Sequence, residues 1–173
     1  MLQQQKFSKR SVASRMAQNN KEPEQRRARR GNTRNDLVFC SRCGIVYFKK
    51  GWHHNLRHYQ GLEKDVPLTF TLCPACRMAS AKQYQGELII ERIISAKKEL
   101  LMHAIKNAGA QAYRRDPLNR ILWIEEGAFS VKLYTSESHL AVGIAKKLHR
   151  SFKGSLRIVY RKDEQEVAVR LIL

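Results

Sequence analysis

Residues 40–44 read Cys-Ser-Arg-Cys-Gly and residues 73–76 read Cys-Pro-Ala-Cys, and these two short stretches decide how the chain is built. They hold all four cysteines of the 173-residue sequence, with 29 residues between the pairs. Each C-x-x-C turn aims two thiolates at one point, so two turns supply the four soft ligands of a closed tetrahedral Zn2+ site. Gly44 follows the second ligand, where such a turn favours a positive φ. The usual gap between pairs is about 15–20 residues, so this ribbon carries a longer excursion. Two disulfides would suit a small secreted domain, but no signal peptide is expected at the N-terminus. A redox C-x-x-C expects one motif on a βαβ unit, whereas here there are two in polar, turn-rich surroundings. Structural zinc held by Cys40, Cys43, Cys73 and Cys76 is therefore the reading. Four cysteine ligands leave no open position for water or substrate, so a catalytic ion is not expected. His53, His54 and His58 in the excursion read as surface histidines.

Charge points to the partner. The chain has 33 Lys plus Arg against 15 Asp plus Glu, a formal net charge of +18. An excess of this size calls for a polyanion, with nucleic acid first. No apolar run approaches the roughly 18–20 residues needed to cross a bilayer, and reduced thiols without a signal sequence place the chain in the cytoplasm. By segment, residues 1–36 hold ten Lys/Arg and three acids, 37–80 hold six and two, and 81–173 hold seventeen and ten. This divides the chain into a basic N-terminal arm (1–36), a zinc ribbon (37–80) and an α+β domain (81–173).

The arm has few apolar residues and no sustained period, so it cannot form a core and reads as disordered. Arg26, Arg27, Arg29, Arg30 and Arg34 resemble a phosphate-tracking extension that orders on contact with nucleic acid. Residues 1–21 are acid-free, as transit peptides are, but Leu2, Phe7, Val12 and Met16 form no stripe. In the ribbon, Leu37–Phe39 leads into the first turn, Ile45–Phe48 leaves it, and Leu68–Leu72 enters the second. The excursion sets Lys49, Lys50 and Arg57 among Trp52, His53, His54 and Tyr59. Cations interleaved with rings suit RNA, where unpaired bases stack and phosphates are neutralised. Trp52 packing on the ribbon is the competing reading.

Residues 79–109 read as one long helix, with Ile90, Ile93, Ile94, Leu101, Ala104, Ile105 and Ala108 on its apolar face. Gly86 breaks or starts it and Gly109 lies just past its end. A strand over 120–125, a turn at Glu126-Gly127 and a strand over 129–134 follow. Thr135-Ser136 offers the cap of a helix bearing Leu140, Ala141, Ile144, Ala145 and Leu148, which Lys153-Gly154 ends. Leu156, Ile158, Tyr160 and then Val167, Val169, Leu171 mark two closing strands. The expected fold is α+β, in the order αββαββ, with a four-stranded antiparallel sheet covered by helices on one face. No Ser/His/Asp order, H-E-x-x-H or glycine-rich phosphate loop is present, and His103, His139 and His149 fall among helix charges. Neither enzyme activity nor a small-molecule substrate is expected.

The stretches CSRCGIVYFKKGWHH, LCPACR, YQGELII and TSESHLAVGIAKKLHRSFKG together resemble a small prokaryotic family of zinc-ribbon proteins. That family is itself similar to the core of the archaeal and eukaryotic adaptor for nuclear export of the large ribosomal subunit. The likeness covers about residues 38–173 and leaves out the arm. It implies contact with the ribosome, the large subunit above all, and Cys40, Cys43, Cys73 and Cys76 as zinc ligands. The adaptor's further cysteine pairs and later domains are missing, so nuclear export is not implied. The expected function is that of a ribosome-associated rRNA-binding factor, acting in ribosome hibernation or in subunit maturation and so in translation regulation. A DNA-binding zinc-ribbon transcriptional regulator is the alternative, and it lacks a helix-turn-helix.

Overall fold

Alternation of more and less buried side chains every second residue runs through Gly86–Glu91, Val167–Ile172 and most of Ser155–Tyr160. The computed structural model describes residues 37–57, 67–161 and 166–173. The arm arginines Arg26, Arg27, Arg29, Arg30 and Arg34, together with His58, Tyr59 and the last polar turn, lie outside the described residues. The ribbon comprises β1 (Leu37–Cys40), β2 (Val46–Phe48), β3 (Gly51–His53), β4 (Leu68–Thr71) and helix α1 (Pro74–Ser80). Its sheet has the order β3-β2-β1-β4. β1 pairs antiparallel with β2 and parallel with β4, in the register Leu37↔Leu68 to Cys40↔Thr71. The excursion thus contains a strand that the sequence reading left out, and the second turn opens a helix.

The α+β region runs β5 (Gly86–Glu91), α2 (Ser95–Arg115), β6 (Ile121–Glu126), β7 (Ser130–Thr135), α3 (Ser138–Phe152), β8 (Ser155–Tyr160) and β9 (Val167–Ile172). Two expectations are corrected here. The single helix over 79–109 is replaced by the end of α1, strand β5 and a helix that starts at Ser95 and passes Gly109 to reach Arg115. Gly86, Leu88 and Ile90 are buried, whereas Glu87, Ile89 and Glu91 are half-buried, which is a strand's period. The run Leu88-Ile89-Ile90 hid that alternation, because a residue on the less covered face is as apolar as its core neighbours. The sheet is also not four-stranded and antiparallel: it has five strands in the order β6-β7-β5-β9-β8, and β5 pairs parallel with β9. The hairpin β8–β9 sends β8 to the edge and returns β9 beside β5.

Both glycines of the mistaken helix have steric reasons. A Cβ on Gly86 would sit 2.7 Å from the Ala141 Cβ and against Thr135, so α3 approaches the sheet there only because no side chain intervenes. A Cβ on Gly109 would meet Ile121 Cδ1 at 2.7 Å, so this mid-helix glycine lets α2 lie close to β6.

The core forms where the helices cover one sheet face. Leu88, Ile90, Val131, Leu133, Val167, Val169 and Leu171 meet Leu101 and Ile105 of α2 and Ala141, Ile144, Ala145 and Leu148 of α3. The expected apolar face of α3 is thus the buried one. Its start is different: Glu137 takes the cap position without a side-chain cap bond. Thr135 and Ser136 are buried and engaged elsewhere. The Thr135 hydroxyl donates to Glu137 O (2.7 Å) and the Ser136 hydroxyl to Leu118 O (2.7 Å). Lys153 and Gly154 end α3 as expected, both at positive φ, 64° and 94°. α1 packs on β6, which seats the ribbon on the sheet within one compact unit, Asn35–Leu173.

Candidate metal centre and the basic ribbon surface

The first cysteine pair sits on a tight turn between β1 and β2. Cys40 N donates to Ile45 O (2.8 Å) and Gly44 N to Cys40 O (2.9 Å), with Gly44 at φ 75° closing the loop. The second pair is built into a helix start. Cys73 caps α1, Pro74 fills the first helical position, where its missing N–H costs nothing, and Cys76 N donates to Cys73 Sγ (3.4 Å). Ser41 N bonds Thr71 O (3.0 Å) and Cys73 N bonds Cys40 Sγ (3.3 Å), tying the two turns together.

All four sulfurs consequently lie within 4.8 Å of one another. Tetrahedral zinc with Zn–S of about 2.3 Å places its sulfurs about 3.8 Å apart, and Cys43 Sγ stands 3.8 Å from Cys73 Sγ. None of the four is in a disulfide. Cys40, Cys73 and Cys76 are buried and Cys43 half-buried, enclosed by Ile45, Ala75, Trp52, Leu72, Leu118 and Leu122. The donor set, the spacing and the closure fit a structural Zn2+ ion.

Electrostatics show why the cluster calls for a cation. Burial pushes the Cys73 thiol up to about 11 and the Cys76 thiol higher still. Burial acts the same way on Cys40, but N–H groups of Cys73, Cys43 and Arg42 outweigh it and hold that thiol at about 6. Four thiolates packed this closely repel one another and lose hydration; a divalent ion offsets both effects.

One partner comes from far along the chain. Arg120 Nη2 donates to Cys43 Sγ at 3.7 Å, across a separation of 77 residues. Burial works against the guanidinium charge, but the nearby Cys43 sulfur and the rest of the cluster favour it more, so its pKa is raised. The side chain is held by Pro117 O, which accepts from both Nε and Nη2, and it lies over the Tyr113 ring at 4.9 Å. Ser136 fixes the backbone: Arg120 N donates to Ser136 Oγ (2.9 Å) and Ser136 N to Arg120 O (3.0 Å). Composition and spacing gave no sign of Arg120. The TSES stretch marked a helix start, and only its fold shows that it also anchors this arginine.

The excursion residues are placed as follows. Lys49 and Lys50 form the β2–β3 turn, both exposed and both left-handed, at φ 47° and 67°. Trp52 packs on the cysteine cluster and, at 5.5 Å, on Tyr47. His53 Nε2 is 3.0 Å from Phe48 O, and the exposed His54 ring meets Tyr113 edge-on at 4.6 Å. Arg57 is exposed. A ring that the sequence reading passed over lies on β4, where Phe70 is 66 % exposed beside Phe39. Residues 37–57 and 67–80 contain Arg42, Lys49, Lys50, Arg57 and Arg77, all exposed, and no Asp or Glu.

Among the described residues, no helix is long and apolar enough to cross a membrane. Compared with models of known protein families and with curated proteins, the chain matches none.

Proposed function

We propose that this zinc-binding protein is a ribosome-associated rRNA-binding factor that contacts the large subunit and occupies functional sites of idle ribosomes or assists subunit maturation. The observation that carries the reading is the charge of the ribbon's described residues: five exposed cations and no carboxylate across residues 37–57 and 67–80, next to a largely buried cysteine cluster. Exposed cations without a carboxylate among these described residues suit phosphate contact on a metal-fixed scaffold. Lys49 and Lys50 strengthen it, because left-handed turn positions are filled more cheaply by Asn or Gly. In this reading zinc fixes the ribbon, the arm's Arg26, Arg27, Arg29, Arg30 and Arg34 follow phosphates, and Lys49, Lys50, His53, His54 and Arg57 add contacts. Trp52 braces the metal core, and Phe70 offers the free ring for an unpaired base. The resemblance to ribosome-binding zinc-ribbon proteins supplies the partner class. The protein acts by occupancy rather than catalysis, and its place is with cytoplasmic ribosomes.

Ultraviolet crosslinking in cells separates this from the reading as a transcriptional regulator. The expected result is recovery of large-subunit rRNA, with crosslinked peptides from the arm and ribbon. Enrichment on discrete genomic DNA segments without rRNA would replace the proposal with the regulator.

A further inference from the structure

We infer that Arg120 is the outer-shell cation of the metal centre, so that zinc retention by the ribbon depends on a residue of the sheet region and on the Ser136 network that positions it. Four thiolates and one Zn2+ carry a formal charge of −2, and the surrounding shell of Ile45, Ala75, Trp52, Leu72, Leu118 and Leu122 is apolar. A charge of that size, half-enclosed, needs a fixed counter-charge. Among the described residues, Arg120 brings a cation to a ligand sulfur, at 3.7 Å from Cys43 Sγ.

Its placement is specified from three sides. Pro117 O accepts from the guanidinium, the Tyr113 ring lies against it at 4.9 Å, and His54 of the ribbon meets that same ring in a T-shaped contact. The backbone at Arg120 is bonded to Ser136 in both directions, and the Ser136 hydroxyl donates its own hydrogen bond to Leu118 O. A loop with so many specific bonds at a metal ligand resembles the outer-shell arrangement that orients ligands and tunes affinity at metal sites. Cys43 is the ligand that most needs this support, because it alone of the four is not fully buried. The guanidinium covers its sulfur and so both neutralises and shields it.

Arg120 is thus a positioning residue that acts through Cys43. The ribbon and the start of α3 behave as one metal-binding unit, although 60 residues separate Cys76 from Ser136 in the sequence.

The test uses the full zinc-loaded chain in a chelator competition, with alkylation of each cysteine followed by mass spectrometry. Arg120→Met is expected to weaken zinc affinity about 10–100-fold, the usual loss for an outer-shell partner, and to make Cys43 the first thiol to react. Arg120→Lys keeps the charge and is expected to lose clearly less. Ser136→Ala keeps the Ser136 N to Arg120 O bond but removes the hydroxyl that accepts from Arg120 N, and is expected to fall between wild type and Arg120→Met. Should Arg120→Met fail to fold, the comparison of Arg120→Lys with Arg120→Gln decides on the same readouts. Wild-type affinity in the neutral variant would overturn the inference. So would equal losses in the charged and neutral variants, or faster reaction at a cysteine other than Cys43.

Discussion

Cys73 does two jobs with one sulfur: it is a metal ligand, and its side chain caps α1 by accepting from Cys76 N. Serine would keep the cap, since its hydroxyl accepts the same bond, but would lose a soft ligand. Cys73→Ser is therefore expected to lose zinc and ribbon order while α1's start stays intact. Metal content and limited proteolysis check this, with cleavage expected between residues 37 and 80 and the sheet region spared. Tyr134 offers a second test, through pH. Burial first, then Glu125 and Glu87, push its hydroxyl from an ordinary 10.0 to about 12. The neutral phenol's contribution is thus complete below pH 10. It is lost between pH 10 and 12, because the unfolded chain ionises there while the folded chain does not. Denaturant unfolding between pH 8 and 12 should show stability falling over that window, and less steeply in Tyr134→Phe.

At the scale of elements, the legible parts were those whose signal is local. The two C-x-x-C turns, the apolar face of α3 and the alternation in β8 and β9 follow from spacing alone. Strand β5 did not, because a central strand is apolar over consecutive residues and Leu88-Ile89-Ile90 fits a helix face as well as a strand. Its parallel pairing with β9 is a long-range choice that no local pattern encodes. The same holds for Arg120, whose role arises only when the fold brings Pro117–Arg120 to the cysteines. Gly86 was legible as a break but not as what it is, a point of close approach. Gly86→Ala would put a methyl group against Thr135, Ala141 and the Glu137 carbonyl, none of which is a long flexible chain. We expect a loss of about 1–3 kcal/mol, the usual cost of overpacking, measurable by urea unfolding at neutral pH.

For the molecule as a whole, the metal centre joins two regions that a reading by segments kept apart. The cysteine cluster packs on Leu118 and Leu122, α1 rests on β6, and His54 reaches Tyr113 of α2. Under the proposed function, a ribbon fixed in this way would offer its cations to rRNA phosphates from a rigid scaffold. The charge imbalance of +18 then makes salt the natural lever on binding. With about 6–10 phosphate contacts, affinity for ribosomes should fall about 10³–10⁵-fold between 50 and 200 mM salt. The most direct measurement is sucrose-gradient sedimentation of lysates from growing and starved cells at low and near-physiological salt. The protein is predicted to travel with the large subunit or intact ribosomes and to move toward the top of the gradient as salt rises. Recovery only in the ribosome-free top fractions, in both growth states and at every salt concentration, would contradict the account.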